Sequence, residues 1–349
     1  MNLTHLRDKP VEWLKGGPEE DVVVSSRIRL ARNVDGYPFM TTASARQKAE
    51  LERLLRNALT PACAGAGLTY LEVHELDTLG RNLLLERRLI SRQHAEADWV
   101  RGVAFDAGER LSILVNEEDH VRIQSVRGGL RLQEAFERAD HFDDIMSRHV
   151  PFAFSDQYGY LTACPTNVGT GLRASVMVHL PALSMAQEMN QVLQLAQRQN
   201  LTLRGGYGEG TYGAGDFYQV SNKVTLGISE TEILETAHSA ARQLILMERK
   251  TRERLHNDDA QRFEDHIWRA YQLLCSAATI SSQEALNLLS QVRMGLQMQV
   301  LTWPPKETVN DLFLLTLPAH LQTMEEEPLD GAQRDQLRAD FVSQRLSKT

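Results

Sequence analysis

Hydrophobic periodicity divides the chain into two stretches of different character. Up to about residue 230, apolar runs of strand length are mixed with amphipathic helical patterns. Residues 21–33 read as a strand running into a basic segment, and residues 68–74 and 111–116 read as further strands. Helical spacing covers 43–59 and 131–149, and another helix is predicted over 184–200, before a strand and a glycine-rich loop at 204–215. No regular βαβ alternation appears, so the pattern predicts an α+β fold with a largely antiparallel sheet flanked by helices. From about Thr231 long helical patterns dominate, over 232–255, 259–277, 282–301, 309–321 and again from near Asp330. They predict an all-helical C-terminal domain. Ser281 and Glu284 have the spacing of a capping box, and Pro304-Pro305 breaks the chain between two helices. The expected division is a lead-in over 1–20, a catalytic domain over 21–250 and a helical domain over 251–349.

Composition narrows the function. The chain has 349 residues, 42% hydrophobic and 24% charged, as in an ordinary soluble globular protein. A net charge of −8 argues against general nucleic-acid binding. Cys63, Cys164 and Cys275 lie far apart, with neither a disulfide framework nor zinc-ligand spacing, which suits a reducing cytoplasm. The N-terminal residues lack an apolar signal core, and no later apolar run reaches membrane length. A cytoplasmic protein without a membrane partner is therefore expected.

The most informative stretch is 164–175, between apolar runs at 158–163 and 176–180. Gly169-x-Gly171-x-x-Ala174 superficially matches a dinucleotide fingerprint, which requires a helix after the glycines. A β-branched, alternating segment follows instead, so that reading is rejected. No P-loop and no protein-kinase signature set occurs either.

Three constellations could carry chemistry. The first is Asn116-Glu117-Glu118-Asp119-His120-Val121-Arg122, which alone would read as a solvated strand end or a metal site. The second is the glycine-rich Arg204-Gly205-Gly206-Tyr207-Gly208-Glu209-Gly210, which alone reads as a loop. The third joins Cys164, by itself a small buried hydrophobe, to Arg173. Arg27, Arg29 and Arg32 alone would mark a solvated edge strand. Together, Arg27, Arg29, Arg122, Arg173 and Arg204 come from separate strand-to-loop segments, beside two acids and a cysteine. Guanidinium groups clamp phosphate bidentately and keep their charge, which is what a nucleotide triphosphate needs.

These segments resemble the phosphagen (guanidino) kinase family. The resemblance rests on Ser25-Ser26-Arg27-Ile28-Arg29, on 116–120, on Cys164-Pro165-Thr166-Asn167-Val168-Gly169-Thr170-Gly171-Leu172-Arg173, and on Arg204 to Glu209 followed by Ser221-Asn222. It covers roughly residues 21–250 and implies Mg-ATP-dependent phosphorylation of a guanidinium nitrogen. Within the family the chain looks like the bacterial protein arginine kinases of the McsB type. Only about twenty residues precede the first motif, where kinases of small guanidino compounds carry a helical domain. The C-terminal Arg334-Asp335-x-x-Arg338-Ala339 resembles a phosphoarginine-binding regulatory motif, although alone it would be a solvated helix face.

By resemblance, Glu118 and Glu209 grip the target guanidinium, and Cys164 supports it electrostatically. Arg27, Arg29, Arg122, Arg173 and Arg204 bind the phosphates, within nucleotide-contacting runs at Ser25 to Arg29, Arg173-Ala174-Ser175-Val176-Met177 and Arg204 to Glu209. Mg²⁺ is expected on phosphate and water oxygens, with no metal site of the protein's own. Arg88 stands where the family usually has a histidine, and the loop over 212–216 is unlike its relatives. The resemblance further implies a homodimer and protein substrates with exposed arginines. It also implies a Clp-type ATPase/protease, a stress-response repressor and a zinc-binding activator as partners. The alternatives are a kinase of free arginine or another small guanidino compound, and a non-catalytic adaptor that binds phosphoarginine.

Overall fold

The computed structural model describes residues 3–7, 9–206 and 213–347. Its strands are β1 (Val23–Arg32), β2 (Leu68–Glu72), β3 (Gly102–Asp106), β4 (Leu111–Val115), β5 (Val121–Gly128), β6 (Phe154–Ser155), β7 (Gly159–Tyr160), β8 (Leu172–His179), β9 (Leu201–Gly205) and β10 (Phe217–Asn222). Eight of them form one sheet in the order β2-β3-β4-β5-β1-β8-β10-β9, while β6 and β7 form a separate small hairpin. Every pairing in the sheet is antiparallel. The α+β expectation is borne out.

Strand alternation separates two chemistries. Ile28, Leu30, Val121, Ile123, Ala174 and Val176 point to one side and are buried. That apolar face is covered by helices Ala45–Ala66, Leu132–Ser147, Met189–Arg198 and Glu230–Asp258. The odd-numbered arginines of β1 point the other way. There the C-terminal helices cover part of the sheet, packing Phe263, Ile267, Leu286, Leu289 and Phe313 against Trp13, Val24, Val126, Met177 and Phe217. The helical region therefore shares a core with the lead-in and the sheet. The helix Glu230–Asp258, closed at its start by a Ser229–Glu232 capping box, runs straight through the expected domain boundary.

Local chemistry breaks two predicted helices. The 184–200 pattern is realised as Pro181–Met185 and Met189–Arg198, with Gln187 between them at φ 60°. The 309–321 pattern becomes Lys306–Leu315 and Pro318–Gln322, because the residue before Pro318 is held extended. At Ser281 only half the capping box forms: the hydroxyl accepts from the Glu284 N–H at 3.2 Å.

The edge-strand reading of the Arg27–Arg32 run is corrected, since β1 lies between β5 and β8. Arg32 is buried, donates to Asp143 Oδ2 from Nη2 at 2.7 Å and from Nε at 3.0 Å, and stacks 3.5 Å from the Tyr160 ring centroid. Its Nη1 donates to the carbonyls of Ala31 and Thr170, tying strand, helix and loop together. Breaking one side of a buried pair leaves an uncompensated charge. Asp143→Ala is therefore expected to cost about 3–5 kcal/mol of stability, read as a lower urea midpoint.

Candidate active site

Direct register neighbours share a face, so the pairings assemble the site. Arg27 and Arg29 of β1 stand opposite Val126 and Gln124 of β5, and opposite Ser175 and Arg173 of β8; Ala31 stands opposite Arg122. Across β8 the same face continues through Gln219 to Arg204 of β9. Five arginines from four strands thus reach one side of the sheet. Here they line two adjoining clefts.

The larger cleft, about 670 Å³, is walled by Arg27, Arg29, Arg88, Arg122, Gln124 and Gln219, with Ile90, Leu286 and Leu317 opposite. The smaller one, about 390 Å³, holds Glu118, Cys164, Thr166, Asn167, Arg173 and Arg204. Arg29 and Arg122 belong to both. Their guanidinium groups therefore stand at the junction.

The cationic face is electrostatically crowded. Burial, then repulsion from Arg88, Arg173 and Arg122, lowers the Arg27 pKa to about 9. Arg29 is pushed well below its ordinary value by burial and by Arg27, Arg122 and Arg173, with Glu117 opposing. Its buried Nε has no hydrogen-bond partner among the described residues. Arg173 is lowered by burial, then by Arg204 and Arg122, and donates to Ser221 Oγ at 3.1 Å. Like charges gathered in a half-desolvated cleft are unfavourable alone and favourable around a polyanion.

The acidic run divides into different jobs. Asn116, at φ 61°, opens the β4–β5 turn, which closes through Asn116 N–H to the His120 carbonyl at 2.9 Å. Glu117 is buried and accepts from Arg122 Nη1 at 2.6 Å and from the Ser91 hydroxyl. Asp119 is buried and accepts from Asn33 Nδ2 and the Ala163 N–H, both at 2.7 Å. His120 Nδ1 accepts from the Val34 N–H at 2.9 Å, leaving Nε2 to donate to the Pro38 carbonyl at 3.0 Å. Burial lowers its pKa to about 4, so it stays neutral at physiological pH. Glu118 keeps a partly exposed carboxylate in the smaller cleft, 3.3 Å from Arg122 Nη2. Burial raises its pKa, against the pull of Arg122.

Cys164 is partly exposed in the same cleft, with Sγ 3.0 Å from Thr166 Oγ1. The glycines after it serve close backbone approach. A Cβ on Gly171, at φ 64°, would lie 2.6 Å from the Ala31 carbonyl, and one on Gly169, at φ 112°, 2.2 Å from that of Thr225. β8 begins at Leu172, so no helix follows them.

The remaining residues of the expected nucleotide-contacting runs are placed as follows. The side chains of Ile28, Ala174 and Val176 are buried on the opposite, apolar face, and their backbones lie within the ladder of central strands. Ser26 is buried and bridges the Gly129 carbonyl and the Arg131 N–H. Ser25 is buried, and Ser175 donates to the Arg27 carbonyl at 3.2 Å. Met177 packs in the second core, its sulfur 3.1 Å from Arg88 Nη1. Arg88, at φ 62°, sits 4.9 Å from the Trp13 ring centroid and walls the larger cleft. Gly205 ends β9 and Gly206 borders the larger cleft. Tyr207, Gly208 and Glu209 lie outside the described residues, as does Tyr212 of the unusual loop.

In the C-terminal motif Ala339 is buried. Arg338 is buried too, donating to the carbonyls of Thr316 and Ile280 and to Asp335 Oδ1 at 2.5 Å. Arg334 and Asp335 remain partly exposed.

Sequence reasoning missed Gln124 and Gln219, which lack any motif of their own. It also missed that Ser282, Gln283, Leu286 and Leu317 of the helical region form a wall of the larger cleft. Only the fold brings those to the sheet.

Comparisons with known proteins show the family. Residues 50–251 match the C-terminal catalytic domain of the ATP:guanido phosphotransferases, and residues 260–349 match the protein-arginine kinase McsB C-terminal domain. The chain is 42% identical to the protein-arginine kinase of Desulforamulus reducens, covering 99% of both chains. It is also 42% identical to that of Halothermothrix orenii over 99% of this chain and 100% of the relative. Among solved structures, a lombricine kinase aligns with a TM-score of 0.58 at 28% identity, covering 70% of each chain. A duplicated taurocyamine kinase from Schistosoma mansoni aligns at 0.57 and 26% identity over 69% of this chain and 36% of that one.

Proposed function

The chain belongs to the ATP:guanido phosphotransferase family, and from that membership we infer a protein arginine kinase that moves the γ-phosphoryl group of ATP onto an arginine side chain. The observation that carries the reading is the junction at Arg29 and Arg122, shared by a cation-lined cleft and a cleft holding a carboxylate. Triphosphate occupies the larger cleft, with the base against Ile90, Leu286 and Leu317. The substrate guanidinium enters the smaller one beside Glu118 and Cys164. In transfer the γ-phosphorus breaks its bond to the bridging oxygen of ADP and forms a bond to a guanidinium nitrogen. Glu118 orients the planar fork and takes the nitrogen's proton. Arg29 and Arg122 neutralise the oxygens of the transferring group. Glu209 is assigned the second substrate carboxylate.

Mg²⁺ fits as a partner of the phosphates and water. The larger cleft is lined by arginines; Glu86 at its wall accepts from the Ala319 and His320 N–H groups, and Glu117 of the adjoining cleft is engaged by Arg122 and Ser91. It would supply charge neutralisation on the phosphate oxygens.

We assign residues 21–250 to catalysis and 251–349 to regulation. Product feedback through the C-terminal motif is supported by its connections. Ile280 N–H donates to the Asp335 carbonyl at 3.1 Å, and Arg338 Nη1 donates to the Ile280 carbonyl at 2.8 Å. Ile280 leads directly into the helix Ser282–Gln297, whose first turn walls the larger cleft. Farther along that helix, Asn287 accepts from the N–H of Gly215, the last residue of the 204–215 stretch, at 3.0 Å. Phosphoarginine bound at Arg334 and Asp335 would therefore press on an element that touches the cleft. Arg334→Ala is expected to abolish activation by free phosphoarginine and leave basal turnover unchanged; unaltered activation in a steady-state assay would contradict it.

The same reading places the protein in the cytoplasm as a homodimer through its helical region, where Leu246, Trp268 and Leu273 are exposed. It also extends to a zinc-binding activator, a stress-response repressor as substrate and delivery of marked proteins to a Clp-type protease. These rest on the family resemblance. No helix among the described residues is long and apolar enough to cross a membrane.

The decisive test offers labelled Mg-ATP to the protein with either an unfolded arginine-containing protein or free L-arginine. Label on the protein is expected. Label on free arginine alone would make it a kinase of a small guanidino compound, and no transfer would favour a phosphoarginine-binding adaptor.

A further inference from the structure

Large exposed apolar side chains are few and unevenly placed. Among the described residues eight stand out, and four of them, Phe154 (58% exposed), Tyr158 (47%), Val224 (42%) and Leu226 (49%), belong to two short segments. Those segments grip the loop that carries Cys164 from either side. On one side the β6–β7 hairpin bonds to it through Tyr160 N–H to the Gly169 carbonyl at 2.8 Å. On the other, Thr225 Oγ1 donates to the carbonyls of Thr166 at 2.9 Å and Val168 at 2.7 Å, while Thr170 N–H donates to the Thr225 carbonyl at 3.1 Å. The contacts are too close for side chains: a Cβ on Gly159 would lie 2.5 Å from the Gly169 carbonyl. Hairpin, loop and turn thus form one braced platform beside the smaller cleft.

We propose that this platform is the docking surface for the polypeptide that carries the target arginine, and that it favours an extended segment with apolar residues flanking that arginine. The inference rests on the protein arginine kinase reading. A guanidinium lodged between Glu118 and Cys164 must trail its own backbone across the mouth of the cleft. There the loop's backbone is braced and its flanks offer Phe154 and Tyr158 on one side, Val224 and Leu226 on the other. Apolar flanks are buried in folded proteins and exposed in unfolded ones. The surface would therefore select clients by their unfolding, without a sequence motif.

The experiment compares Tyr158→Ser, Leu226→Ser and their combination with the unmodified enzyme. Three substrates are used: an unfolded protein, a peptide whose arginine is flanked by leucine and valine, and one flanked by glycine and serine. The combined variant is expected to raise KM about tenfold for the unfolded protein and the apolar peptide, in line with losing the burial of one or two apolar side chains. KM for the glycine–serine peptide and kcat for all three should stay unchanged. Equal shifts on both peptides, or no shift on either, would overturn the proposal. So would a change of oligomeric state in sedimentation with KM unaltered, which would make the surface a contact between copies of the chain. Failure of the unmodified enzyme to phosphorylate any substrate would instead overturn the kinase reading itself.

Discussion

Arg29→Ala is expected to lower kcat for phosphoryl transfer by about 10³-fold, the scale on which a positioned donor or arginine acts on transition-state charge. The reason is its place. Arg29 stands at the junction of the two clefts, its Nε without a partner among the described residues and its charge opposed by burial and by Arg27, Arg122 and Arg173. Without nucleotide that arrangement works against the folded state. The same substitution should therefore leave the melting temperature of the free protein unchanged or higher, while shrinking the rise that Mg-ATP produces in the parent. Arg29→Lys should recover little activity, because a point charge cannot reproduce a planar fork. Steady-state kinetics with calorimetric melting would check both halves; a less stable but active variant would assign Arg29 to the fold.

Glu118→Gln is expected to reduce transfer by about 10²–10⁴-fold, the usual contribution of a positioned general base. Glutamine keeps the size and loses the proton acceptor, so ATP affinity should remain near that of the parent. The pH profile carries the sign. Burial holds the Glu118 pKa above its ordinary 4.5, with Arg122 opposing, so the carboxylate is ionised and active above that raised value. The rate should fall as pH drops through it. An acid limb lying above 4.5 is therefore predicted, vanishing in the variant; an identical limb in Glu118→Gln would assign it to another group.

Much of this was legible in the sequence, for identifiable reasons. The residue type shared by separate strand-to-loop segments, together with motif order, was enough to gather the arginines, and an antiparallel sheet sets directly opposed residues on one face. Strand alternation puts the side chains of Ile28, Ala174 and Val176 on the apolar face, since contiguous motif letters fall on opposite faces. Arg32 was misread because its partner Asp143 lies 111 positions away on a helix. In the acidic run, nothing local distinguishes Glu118 from Glu117 and Asp119. The difference is made by Arg122, Ser91, Asn33 and the Ala163 N–H, which engage the other two. The wall supplied by Ser282, Gln283 and Leu286 was out of reach for the same reason: helical periodicity marks a buried stripe without naming the surface it buries.

The central claim is that the junction passes phosphate from ATP to a guanidinium nitrogen on a protein. Phosphorus NMR of an unfolded arginine-containing protein, after incubation with enzyme and Mg-ATP, tests it most directly. The account predicts a protein-bound phosphorus–nitrogen signal that survives base, disappears in acid and is absent with Glu118→Gln. An acid-stable phosphate ester, or release of inorganic phosphate with no protein-bound signal, would contradict it.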